Sequence, residues 1–137
     1  MRITADTNVL LRDALHDDPD QWPLAARILQ QAELVAVPTA SLCEFVWVLR
    51  QGYRLPAKDV AESLKLLLAS PNVVTNQPAA EAGLRILEAG GDFADGVLQY
   101  EGEWLGGHEF VSFDRKAVAL LKDQGKRARL LGAGRKA

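Results

Sequence analysis

Four acidic residues sit where an ordinary surface acid would not be expected. Asp6 follows the short apolar run Ile3-Thr4-Ala5, and Glu44 lies inside Leu42-Cys43-Glu44-Phe45-Val46-Trp47-Val48-Leu49. Asp95 belongs to Asp92-Phe93-Ala94-Asp95 behind two glycines, and Asp114 ends Phe110-Val111-Ser112-Phe113. Gathered into one pocket, four carboxylates would repel, and some would take up protons. A hard divalent cation reverses that logic. Mg²⁺ and Mn²⁺ prefer oxygen donors, and Mg²⁺ keeps several waters while using only one or two protein carboxylates. Asp6 and Asp95 are the expected direct metal ligands, with Asp114 direct or through water. Glu44 would orient the attacking water or take its proton. Thr7, Asn8 and Ser112 would hold the carboxylates from behind, with Asp92 in reserve. A cation so held polarises a phosphoryl group and neutralises the leaving oxygen, so the chemistry expected is phosphodiester hydrolysis.

Each acid also has a plainer reading. Glu44 has apolar neighbours on nearly every side and is expected to be turned from open solvent, where a carboxylate costs roughly several kcal/mol unless paired, protonated or metal-bound. Yet Ser41-x-x-Glu44 also fits a capping box at a helix start. Asp95 falls in a first helical turn, where an acid suits the helix dipole without any further role.

The elements that must position these residues follow from the apolar pattern. Ile3–Ala5 reads as a buried strand that Asp6-Thr7-Asn8 turns into a helix over 9–14. The segment His16-Asp17-Asp18-Pro19-Asp20 reads as a loop, with Asp20 capping a helix over 21–32. Strand Leu34–Val37 ends at Pro38, and a helix over 40–51 follows, capped by Thr39 or Ser41. Pro56 opens a helix to Ser70 with Val60, Leu64, Leu67 and Leu68 on one stripe. Val73–Thr75 is a third strand and 79–89 a helix stopped by Gly90-Gly91. Asp92 reads as the cap of the next helix, sharing a face with Asp95. Phe110–Phe113 is a fourth strand, 115–121 a helix, and Arg129–Leu131 a short last strand. Strands alternating with helices argue for a three-layer α/β fold with a short, mostly parallel central sheet. In such sheets ligands bind beyond the strands' carboxyl ends, where Asp6 and Asp114 both fall.

With 137 residues, the chain is expected to form one domain, 1–137, able to bury a core without disulfides. Hydrophobic residues make up 48% and charged residues 25%, and no apolar run is long enough to span a bilayer. Asp6 comes too soon for a signal peptide, and a single cysteine, Cys43, excludes an internal disulfide framework, so a cytoplasmic protein is expected. The net charge of −2 hides an asymmetry: residues 111–137 carry eight bases against two acids, a balance of +6, which leaves −8 on the rest. Such a basic end, Arg115 and Lys116 included, could draw in a polyanion such as RNA. It could equally be solvated turns closing in a flexible basic tail.

These residues resemble a known family over essentially the whole chain. Asp6-Thr7-Asn8-Val9-Leu10-Leu11 after a strand, Glu44 in an apolar helix, Asp92-Phe93-Ala94-Asp95 opening a helix and Ser112-Phe113-Asp114 closing a strand resemble the PIN-domain ribonucleases. More narrowly they resemble the VapC toxins of bacterial toxin-antitoxin pairs. The resemblance implies an α/β/α PIN fold, Mg²⁺- or Mn²⁺-dependent cleavage of RNA, a homodimer, and inhibition by a small VapB-like antitoxin whose tail occupies the groove near the acids. It assigns the catalytic positions to Asp6, Glu44, Asp95 and Asp114 and the polar helper to Ser112. Many relatives continue the third motif with Asp-Ala where this chain has Asp95-Gly96, and a glycine loosens a helix by about 1 kcal/mol relative to alanine.

Other enzyme classes lack their signatures. There is no Gly-x-x-x-x-Gly-Lys-Ser/Thr loop, no Gly-x-Ser-x-Gly elbow, no evident His partner for Cys43, and only His16 and His108 to offer zinc. Two rivals remain. A phosphohydrolase of small molecules would share an acidic pocket, although its aspartyl-phosphate version would want Asp-x-Asp where Asn8 stands. A non-catalytic binding module would keep the fold and use Glu44 and Asp95 structurally.

Overall fold

In the computed structural model, which describes residues 1–132, seven helices and five strands alternate along the described chain. Every strand pair is parallel, and the architecture is α/β. The chain clusters into two compact units, Met1–Gln77 and the residues from Pro78 onward.

The first unit carries strands β1 (Arg2–Thr4), β2 (Leu34–Ala36) and β3 (Val73–Val74), in the order β1-β2-β3. Ile3 pairs with Val35, and Val35 with Val73. The ladder runs past the strand ends, with Ala5 N–H donating to Ala36 O and Val37 N–H to Val74 O. Parallel neighbours require crossovers, and helices supply them. Helices α1 (Thr7–Leu15) and α2 (Gln21–Gln31) link β1 to β2. From β2 to β3 the chain passes through α3 (Thr39–Trp47), a π-helical turn over Val48–Gly52 and α4 (Ala57–Ala69). α1 packs on α2 and α3, and the unit buries Leu10, Leu11, Val35, Leu42, Phe45, Leu49, Val60 and Leu64.

The second unit holds β4 (Phe110–Ser112) and β5 (Ala128–Leu130), joined by α7 (Arg115–Asp123), together with α5 (Gln77–Glu88) and α6 (Phe93–Trp104). Its core groups Ile86, Val118, Leu121 and Ala128, with Phe110, Leu120 and Leu130 packed against them. The expected strand Arg129–Leu131 is present one residue earlier and pairs with β4. The strands thus divide between a three-stranded and a two-stranded sheet.

Two local expectations are corrected. Asp20 makes no side-chain cap on α2; instead Asp18 Oδ1 accepts from the N–H groups of Asp20 and Gln21, 2.9 Å each, because it lies one turn back where the carboxylate can reach both. Gly96 does more than loosen a helix. A Cβ there would meet Ala82 O at 2.3 Å and Gly83 Cα at 2.7 Å, and a Cβ on Gly83 would strike the Phe93 ring at 2.7 Å. α5 and α6 therefore cross at paired glycines, closer than any side chain would permit. The expected basic tail, Arg135 and Lys136 included, lies outside the described residues.

Candidate active site

One device occurs once in each unit. Two residues after a parallel strand ends, an aspartate leaves the sheet in extended backbone and caps the following helix. In the first unit this is Asp6, whose Oδ1 accepts from Thr7 N–H at 2.9 Å. In the second it is Asp114, whose Oδ1 accepts from Lys116 N–H at 3.0 Å and Ala117 N–H at 3.1 Å. Both are exposed. Such a cap holds the carboxylate at the carboxyl end of its strand by a local bond, before any tertiary contact is made. In both residues the cap uses Oδ1, which leaves Oδ2 for another partner.

The residues expected to support these acids do so in part. Buried Thr7 donates through Oγ1 to Glu44 Oε1 at 3.4 Å and joins the first helix to the third. Ser112 Oγ accepts from Asp114 N–H at 2.9 Å, which closes the turn between β4 and α7. Asn8 is exposed.

Glu44 overturns an expectation. It is exposed, although its chain neighbours Phe45 and Val46 are buried. The reason is helical periodicity: Ala40, Glu44 and Trp47 form an i, i+4, i+7 stripe along the solvent side of α3, and the apolar residues beside Glu44 in sequence turn to other faces. The capping-box reading also falls away. α3 begins at Thr39, so Ser41 is its third residue, and the Ser41 hydroxyl lies 3.5 Å from Ala5 O instead.

In the second unit Asp92 caps α6, accepting from Ala94 N–H at 3.1 Å, and Asp95 stands in the first turn as the motif suggests. Asp95 is half-buried, and its carboxyl is pushed up from 3.8 to about 6, first by desolvation and then by the negative charges of Asp92 and Asp114. Asp95 thus feels the charge of two other carboxylates, one at the start of α6 and one just past β4. Among the described residues no group of three or more His, Cys, Asp or Glu side chains that could hold a metal ion is found. The donor set nonetheless suits a hard divalent cation. It is all carboxylate, and the repulsion acting on Asp95 is what a cation would relieve.

Two features were not legible from sequence. Phe113, read as the last residue of the fourth strand, lies one residue past β4 and is 64% exposed beside Asp114. In the first unit a cleft of about 820 Å³ runs between α1, α2 and α4, with Asp13 in its wall, and burial pushes the Asp13 carboxyl up. The histidines follow the plain reading: His16 ends α1 in the left-handed region and stacks on Trp22, ring centroids 4.2 Å apart, and His108 lies in an exposed loop.

Compared with protein families, residues 3–99 match the PIN domain. No curated protein sequence gives a significant match to the chain.

Proposed function

This chain belongs to the PIN-domain family, whose members are typically nucleases that use divalent metal ions, and on that premise we propose that it is a metal-dependent endoribonuclease acting as the VapC-type toxin of a toxin-antitoxin pair. The observation that carries the reading is the half-buried Asp95, whose carboxyl is pushed up to about 6 by desolvation and then by the charges of Asp92 and Asp114. An acid so placed is unfavourable to the apo fold at neutral pH and becomes favourable once a cation is present.

In this proposal Asp6, Asp95 and Asp114 hold Mg²⁺ or Mn²⁺, within a single PIN-like domain spanning 1–137. When bound, the cation polarises the phosphoryl group and neutralises charge on the leaving oxygen. Glu44 orients the attacking water and accepts its proton; its exposed position on α3 leaves it open to solvent and substrate alike. Thr7 steadies Glu44, and Ser112 fixes the turn that carries Asp114. Asn8 and Asp92 support the carboxylates, while exposed Arg115 and Lys116 meet RNA phosphates. The partners proposed with this role are an RNA substrate, a VapB-like antitoxin and a second copy of the chain, all in the cytoplasm. No helix among the described residues is long and apolar enough to cross a membrane.

Calorimetric titration of Mn²⁺ into wild type and Asp6→Ala tests the metal. Heat of binding from wild type, weakened in the variant, is expected; silence from wild type favours a non-catalytic module. In cells, expression without an antitoxin should arrest growth and Asp6→Asn should relieve the arrest, while equal toxicity of both forms would remove the nuclease from consideration. Sequencing the 5′ ends that appear after induction would identify the RNA cut.

A further inference from the structure

Phe113 is the residue that the acid chemistry leaves unexplained. It lies one residue past β4, yet its ring is 64% exposed, and Val111, two residues back within that strand, is 44% exposed. A single exposed apolar residue needs no special reason. The mounting of this one is what distinguishes it. Behind it, β4 is paired with β5, and Leu131 N–H donates to Ser112 O. Ahead of it, Asp114 N–H is held by Ser112 Oγ while Asp114 Oδ1 ties the turn to Lys116 and Ala117. The backbone on both sides of Phe113 is thus pinned, so the ring is presented to solvent at little further loss of freedom on binding.

The surroundings choose between occupants. An apolar protein partner would want the hydrophobic surface to continue around the ring. Along the chain it reaches no further than Val111: the immediate neighbours are Ser112 and Asp114, followed by exposed Arg115 and Lys116, while Arg129, opposite Val111, is ion-paired to Glu109 at 3.1 Å. A rigid aromatic face beside cations is the combination that binds single-stranded nucleic acid, the ring meeting a base and the cations meeting phosphates.

We propose that Phe113 is a base-stacking residue that takes one unpaired RNA base beside the phosphodiester presented to Asp114, with Arg115 and Lys116 on the flanking phosphates. The proposal rests on the nuclease reading for the identity of the ligand.

The test is fluorescence anisotropy of a labelled single-stranded RNA in Mn²⁺, with full-length protein in a Glu44→Gln background so that the RNA stays intact. Phe113→Ala and Phe113→Leu should weaken binding by about tenfold, and Phe113→Trp should preserve it, because a π face rather than apolar bulk is required. Melting curves of all three should match wild type, as expected of an exposed ring. Binding by Phe113→Ala within twofold of the parent, or full binding by Phe113→Leu, would overturn the proposal. So would an unchanged RNA affinity accompanied by a change in oligomeric state, which would make the ring a protein contact. If the otherwise wild-type protein binds RNA without cutting it, the nuclease reading fails while the stacking comparison still stands; if no RNA binds, both fail.

Discussion

Replacing Asp95 by asparagine should stabilise the metal-free protein, and only above mildly acidic pH. The folded Asp95 carboxyl holds its proton up to about 6, against 3.8 ordinarily, through desolvation and the charges of Asp92 and Asp114. Folding therefore favours the protonated form. The stability linked to this group is fully present below about pH 4, is lost steadily as pH rises through 6, and stays lost above. At 1.36 kcal/mol for each pH unit the face value is about 3 kcal/mol. The carboxyl is half-exposed, and screening by water reduces this to about 1 to 2 kcal/mol. Asp95→Asn is close in shape and never ionises, so it escapes the loss. In EDTA its Tm should exceed that of wild type by about 3–6 °C at pH 7.5. At pH 4.5 most of that gap should be gone. Scanning calorimetry of both proteins at the two pH values measures it. A gap of equal size at both, or a variant less stable at pH 7.5, would refute the claim that desolvation, reinforced by like charge, raises the Asp95 carboxyl. Mn²⁺ should then raise the Tm of wild type more than that of the variant, because the cation takes the place of the proton.

Three further predictions follow from other parts of the structure. Asp114→Ala removes the cap of α7 and should lower stability by about 1 kcal/mol, whereas Asp114→Asn keeps an acceptor oxygen for Lys116 and Ala117 and should melt near wild type while losing RNA cleavage; urea unfolding and a cleavage assay separate the two effects. Gly96→Ala gains helix propensity but drives a Cβ to 2.3 Å from Ala82 O, so a net destabilisation of about 2 kcal/mol is expected; an unchanged urea midpoint would show that α5 and α6 can part freely. Tyr53→Phe deletes the hydroxyl that links Arg12 and Asp17 at 3.2 and 2.9 Å, but this network is exposed, and its loss should change stability by less than about 1 kcal/mol, and by less still in high salt.

Local chemistry made much of this protein legible without coordinates. Each strand–aspartate–helix junction is written within a few consecutive residues: an apolar run to pair, an acid to cap, a helix-forming stretch to follow. The cap formed by Asp92, the first-turn place of Asp95 and the positions of Asp6 and Asp114 beyond their strands therefore follow from order and spacing alone, whereas the caps that Asp6 and Asp114 form appear only in the structure. The misreadings occurred where neighbours in sequence are not neighbours in space. Glu44 was expected to be shielded by adjacent apolar residues, yet a helix turns consecutive side chains by about 100° and leaves Glu44 in solvent. Gly96 was judged by propensity, while its size answers to Ala82 and Gly83 on another helix. Phe113 has the composition of a core residue, and only the packing leaves its ring outside. The chain alone determined which groups can cap, pair and carry charge, because those properties arise from bonds within one turn. Tertiary structure decided which of them are desolvated and which repel, as in the pressure of Asp92 and Asp114 on Asp95, because burial and charge separation depend on segments that meet only when the chain folds.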